Sequence, residues 1–82
     1  MQVTIKYFAS VREAIGQASE QRETNATTLA GLRDELLVLS PAYLCLARNK
    51  AVRMALGQVM REESALLAPG CEVAFFPPVT GG

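Results

Sequence analysis

The sequence contains no histidine. That removes the commonest general base and metal ligand, and with it most hydrolase designs. There are only two cysteines, Cys45 and Cys71, and they form neither a close pair nor a metal-ligand spacing. A disulfide framework is expected in a small secreted domain, so two lone thiols point to a reducing cytoplasm. No apolar run approaches the length of a membrane span, and the opening Met1-Gln2-Val3-Thr4-Ile5-Lys6 lacks the apolar core of a signal peptide. No excess of either charge exists, because eight basic residues balance eight acidic ones. A basic footprint for nucleic acid is therefore missing, and neither nucleic acid nor membrane is expected as a partner. Lys6 and Lys50 are the only lysines, and neither has the neighbours of an activated amine.

What remains is a chain of 82 residues, half of them hydrophobic, which suits one compact domain near the lower size limit for a useful core. Residues 2–8 alternate, with Val3, Ile5 and Tyr7 on one face and Gln2, Thr4 and Lys6 on the other, which reads as a half-buried strand. A turn carrying Arg12 and Glu13 follows, then Gly16-Gln17 and a polar return strand over Ala18 to Thr24. From Thr28 the period changes. Leu29, Leu32, Leu36 and Leu39 recur at helical spacing, Leu37 widens the stripe, and Thr27 or Thr28 can cap it. Ser40-Pro41 should end this helix, and Gly31 inside it would allow close packing against a sheet.

A third strand runs from Val52 to Leu56, Val59-Met60 forms a very short fourth, and Leu66-Leu67 makes a buried turn before Pro69-Gly70. The last strand, Glu72 to Phe76, stops at Pro77-Pro78, which remove two backbone donors. The expectation is an α+β protein, a mixed sheet with one main helix on one face and the first and last strands parallel neighbours. This is the β-grasp, or ubiquitin-like, order. It assigns residues 1–78 to the domain and 79–82 to a flexible tail.

Strand parity then selects a candidate surface. If Val3, Ile5 and Tyr7 face the helix, Phe8 points to the open face; if Val73 and Phe75 face it, Phe76 joins Phe8. Met60 is a third member, and the three together look like a docking patch. Alone, Phe8 or Phe76 would read as an apolar residue at a strand end, half covered by loops. Arg12 is carried as a further partner contact, against the plainer reading of a solvated charge pair with Glu13. Arg61-Glu62-Glu63 reads as a polar loop.

Beyond the Pro77-Pro78 brake stand Val79, Thr80, Gly81 and Gly82. Four extended residues reach about 13 Å, and glycine lets a backbone enter a channel too narrow for a Cβ. A free α-carboxylate is a poor electrophile, so acyl chemistry at Gly82 needs prior adenylation by a separate enzyme using ATP. A sulfur donor could then displace AMP and leave a thiocarboxylate. None of this requires a catalytic side chain on the carrier.

The ending Glu72-Val73-Ala74-Phe75-Phe76-Pro77-Pro78-Val79-Thr80-Gly81-Gly82 resembles the small subunit of molybdopterin synthase, the MoaD-type sulfur carriers. The opening Tyr7-Phe8-Ala9-Ser10-Val11-Arg12-Glu13 is similar to that family's first strand and following turn, and Thr28-Leu29-Ala30-Gly31-Leu32-Arg33 to its helix start. The resemblance implies that Gly82 is adenylated by an E1-like enzyme, loaded with sulfur from a donor protein, and inserted with Val79, Thr80 and Gly81 into the synthase large subunit. It also implies a heterotetrameric synthase, partner contacts at Phe8, Met60, Phe76 and Pro77, and no resident cofactor or metal. Two positions depart from the pattern. Gly57 stands where an asparagine is common, and Cys71 where an acidic residue is frequent. Relatives sharing the fold and both glycines include protein modifiers and sulfur donors for tRNA thiolation or thiazole synthesis, and a plain interaction module would keep the fold without using the tail. Cys45 and Cys71 read as packing residues rather than sulfur carriers.

Overall fold

The computed structural model describes residues 1–78; the expected tail, 79–82, lies outside them. Strand β1 (Gln2–Tyr7) is followed by helix α1 (Ala9–Ile15), strand β2 (Ser19–Glu23), helix α2 (Leu29–Leu37), two 3-10 helices (Pro41–Leu46 and Arg48–Lys50), and strands β3 (Arg53–Leu56), β4 (Val59–Arg61) and β5 (Glu72–Phe76). The sheet order is β2-β1-β5-β3-β4. As expected, β1 and β5 run parallel, pairing Ile5 with Val73 and Tyr7 with Phe75, while the other pairings are antiparallel. The α+β, β-grasp arrangement holds.

The core follows from the two periodicities. Val3, Ile5 and Tyr7 are buried from β1, Val73 and Phe75 from β5, Met54 from β3, and Leu29, Leu32 and Leu36 from α2. Thr28 caps α2 as anticipated, its Oγ1 accepting from the Gly31 amide at 3.1 Å. The β3–β4 hairpin turns on Gly57 and Gln58 at φ 58° and 69°. A two-residue turn with both angles positive matches the twist of its strands, and glycine enters that region without a Cβ penalty. Gly57 also donates to the Glu72 carbonyl at 2.9 Å, so asparagine is not needed to anchor the turn.

Several expectations are corrected. The segment after β1 is not a turn but helix α1, closed by Gly16 at φ 91°, whose amide donates to the Arg12 carbonyl. Helix α2 stops at Leu37, so Leu39 falls outside it and is half exposed. Val52 precedes β3 rather than belonging to it. Of the Leu66-Leu67 pair only Leu67 is buried. Gly31 approaches no strand; a Cβ there would meet Ala26 and the Thr28 hydroxyl, inside the capping turn. The stretch after Pro41 is ordered as 3-10 turns because Tyr43 and Leu46 are drawn into the core, with Ser40 Oγ accepting from the Ala42 amide.

Candidate functional site on the open sheet face

The face of the sheet opposite α2 carries the site. Phe8 continues β1 in extended conformation, its amide donating to the Phe75 carbonyl at 3.2 Å. Because β1 and β5 are parallel neighbours, Phe8 meets Phe76. The rings stack with centroids 4.6 Å apart and planes 9° from parallel, close enough for a favourable aromatic pair. Phe8 nevertheless stays 40% exposed, and Met60 on β4 stays 45% exposed.

Between them the sheet is low. Ala55 pairs with both Ala74 and Met60, and Lys6 pairs with Ala74. One cross-strand row therefore reads Lys6, Ala74, Ala55, Met60, with two small residues in the middle. Phe8, Ala9, Arg53, Met60, Phe76, Pro77 and Pro78 line a depression of about 420 Å³ that shares Met60 with this row. Arg53, opposite Phe76, is the one charged side chain in that lining. Lys6 at the margin pairs with Glu72 at 3.4 Å.

The chain turns from strand to helix in a single residue. Ala9 has φ 51°, and the Phe8 carbonyl accepts from the amides of both Val11 and Arg12. A left-handed angle at a residue bearing a Cβ costs roughly 1–2 kcal/mol, and here it stands beside the exposed aromatic pair. Sequence parity located Phe8 and Phe76; the pairing of Met60 with Ala55 brings the third candidate to the same face, and Pro77 joins them. Arg12 does not, because its side chain, in the last turn of α1, lines a separate depression with Glu13, Gly16, Gln17 and Ala18. The predicted residues Val79, Thr80, Gly81 and Gly82 lie outside the described residues. The described chain ends at Pro78, on the rim of the aromatic depression.

Two polar clusters were not anticipated. Glu20, on the α2 side of β2, accepts from the hydroxyls of Tyr7 (3.0 Å) and Tyr43 (2.8 Å), from Gln17 and from Arg22. Burial, then the neighbouring Glu20 carboxylate, pushes the Tyr7 hydroxyl well above the ordinary tyrosine range, and Tyr43 is raised by the same causes. Glu63, read as part of a polar loop, receives both the buried Arg33 and the exposed Arg48, and these hydrogen bonds hold its carboxyl below its usual value. A buried tyrosine with no visible acceptor was the one available signal for Glu20. Cys45 and Cys71 are half-buried and pack against the core. Among the described residues no three acidic or cysteine side chains gather as a metal group, and no helix is long and apolar enough to cross a membrane.

Residues 5–82 match the ThiS family. The chain belongs to the ThiS family. Within it, this chain is 31% identical over 80 residues to the molybdopterin synthase sulfur carrier subunit of Escherichia coli (strain K12), covering 98% of this chain and 99% of that protein. The resemblance to the MoaD-type carriers read from the terminal motif is thereby borne out. Among solved structures, SAMP1 (small archaeal modifier protein 1) from Haloferax volcanii superposes with a TM-score of 0.80 at 22% identity, over 100% of both chains. Subunit 1 or 2 in a complex of the molybdopterin-converting factor from Helicobacter pylori superposes with a TM-score of 0.69 at 22% identity, again over 100% of both chains. At these identities the two structures speak to the β-grasp fold of this ThiS-family chain.

Proposed function

We propose that this ThiS-family chain is the sulfur carrier of a molybdopterin synthase, with residues 1–78 as the base and Val79 to Gly82 as the presented tail. The stacked Phe8–Phe76 pair with Met60, an apolar docking face beside the point where the chain enters its Gly-Gly ending, carries the reading. The carrier relative from Escherichia coli, matched over almost its full length, gives it the molybdopterin context. The Helicobacter pylori complex of two converting-factor subunits gives a precedent for a large-subunit partner.

In this reading an E1-like enzyme joins the Gly82 carboxylate to AMP from ATP, releasing pyrophosphate. A sulfur donor protein then delivers sulfide-level sulfur, released from any persulfide by a thiol reductant; the sulfur attacks the acyl carbon, AMP leaves, and Gly82 ends as a thiocarboxylate. The tail enters the large subunit, where transfer of the sulfur to the pterin precursor and hydrolysis regenerate the carboxylate. The chain contributes the acyl group and the docking face, and its partners supply the catalytic groups and the cytoplasmic setting.

Intact mass spectrometry of the protein from its native cell tests this. A species heavier by one oxygen-to-sulfur exchange, lost on deleting Gly82, is the expected result. Free carboxylate alone, after incubation with the activating enzyme, ATP and a sulfur source, would sink the proposal. An isopeptide adduct to lysine in place of the thiocarboxylate would move the chain to the protein modifiers.

A further inference from the structure

The Pro77-Pro78 segment has a second side. Away from the aromatic depression it borders a second groove, of about 490 Å³, between α1 and the 3-10 turns, lined by Val11, Leu44 and Val52 and by Lys50. Leu44 is 55% exposed although its neighbours Tyr43 and Leu46 are buried. Other exposed apolar side chains, such as Val38 and Leu66, line neither depression, whereas Leu44 shares this one with both prolines. Lys50 is the groove's single charged residue. Among the described residues Lys50 makes no ion pair, whereas Lys6 is held by Glu72 and Arg48 by Glu63.

We infer that the protein receiving the tail straddles the Pro77-Pro78 ridge, placing an apolar side chain in this groove and a carboxylate against Lys50. The inference rests on the docking reading above and extends it from one side of the ridge to both. Continuity is the first argument, since the two prolines wall the groove and the aromatic depression alike. Area is the second. A stable interface covers about 800 Å² on each partner, and Phe8, Met60 and Phe76, each less than half exposed, supply only a part of it on the domain surface beside the inserted tail. Charge is the third, because an apolar trough lined by one ammonium that makes no ion pair among the described residues selects an apolar segment flanked by an acid over a basic or uncharged polar one.

Affinity for the purified synthase large subunit, by calorimetry at two salt concentrations, decides the matter when paired with a thermal melt of each variant. Leu44→Glu should weaken binding roughly tenfold or more, since a central apolar contact is replaced by a desolvated charge. Lys50→Ala should weaken it a few-fold and flatten its salt dependence, with melting temperatures unchanged in both. Leu44→Ala covers the case in which the glutamate variant melts early; a several-fold loss is expected there too. Phe8→Ala is the control. If it weakens binding while the groove variants do not, the partner touches one side of the ridge and the inference is overturned. If the wild-type protein fails to bind, or Phe8→Ala has no effect, the docking reading itself falls.

Discussion

Ala9 is where folding and docking can be set against each other. Its φ of 51° is the left-handed region, disfavoured for any residue with a Cβ by roughly 1–2 kcal/mol. Ala9→Gly removes that cost, but it enlarges the unfolded ensemble by about 0.4–1 kcal/mol. The balance runs from nothing to a gain of about 1.6 kcal/mol, which for a domain this small is a melting temperature higher by about 4–8 °C per kcal/mol. Docking should move the other way. The glycine frees the joint that fixes Phe8 on Phe76 and removes a methyl from the lining of the aromatic depression. Affinity for the large subunit should fall several-fold, and the ring-current shifts of the Phe8 and Phe76 protons should collapse toward free values. Ala9→Asn keeps a Cβ and tolerates the left-handed angle better than other side chains, so it should hold both stability and affinity near wild type. An Ala9→Gly protein that melts lower, binds as before and keeps its ring-current shifts would refute the reasoning.

The Tyr7 hydroxyl makes a pH prediction. Its pKa in the fold is raised, by burial first and Glu20 second, so above pH 10 the unfolded chain loses that proton while the folded chain keeps it. Stability is then full below pH 10 and declines as pH rises, by up to about 1.4 kcal/mol from Tyr7 at pH 11; Tyr43 adds a loss in the same direction. Denaturant melts from pH 8 to 11 check this, and Tyr7→Phe should flatten the decline. Arg33 is 4% exposed, and its Nε has no hydrogen-bond partner among the described residues, Asp34 standing 4.0 Å away, so its charge is costly to hold even with Glu63 on the guanidinium. Arg33→Met should leave the melting temperature within a few degrees of wild type or raise it; a drop of more than ten would show that the Glu63 clamp is needed.

The two sheet-centre strands and α2 were legible because their periods are unmistakable, and parity alone placed Phe8 and Phe76 on the open face, whereas the face of Met60 needed the β3–β4 register. Helix α1 was not. Its seven residues bury only Val11, have no side-chain cap and read as a charged turn through Arg12 and Glu13. So short a helix is marginal by itself and forms here because β1, β5 and the first 3-10 helix pack around it. That same helix carries Arg12 away from the aromatic face. Leu39 kept the leucine spacing after the backbone had left the helix, which spacing cannot detect. Glu20 was illegible for another reason: its partners come from β1, from the 3-10 helix and from its own strand. No local pattern joins those three.

The docking face is tied to the core by the sheet's register. Tyr7 and Phe75 stack on the core side, with centroids 6.0 Å apart and planes 12° from parallel. The next residue on each strand, Phe8 and Phe76, stacks on the open side. These are back-to-back aromatic pairs on two adjacent central strands. A slip of β5 by one residue would bring Phe76 into the core and turn Phe75 outward, separating both stacked pairs at once. Tyr7 resists that slip because Glu20 fixes its hydroxyl, and Phe75 resists it because it is fully enclosed. The open-face pair therefore inherits its geometry from interactions made wholly on the other side of the sheet. It follows that Tyr7→Ala, which touches no partner surface, should weaken docking through Phe8, whereas Tyr7→Phe, which keeps the stack and loses only the Glu20 bond, should weaken it less.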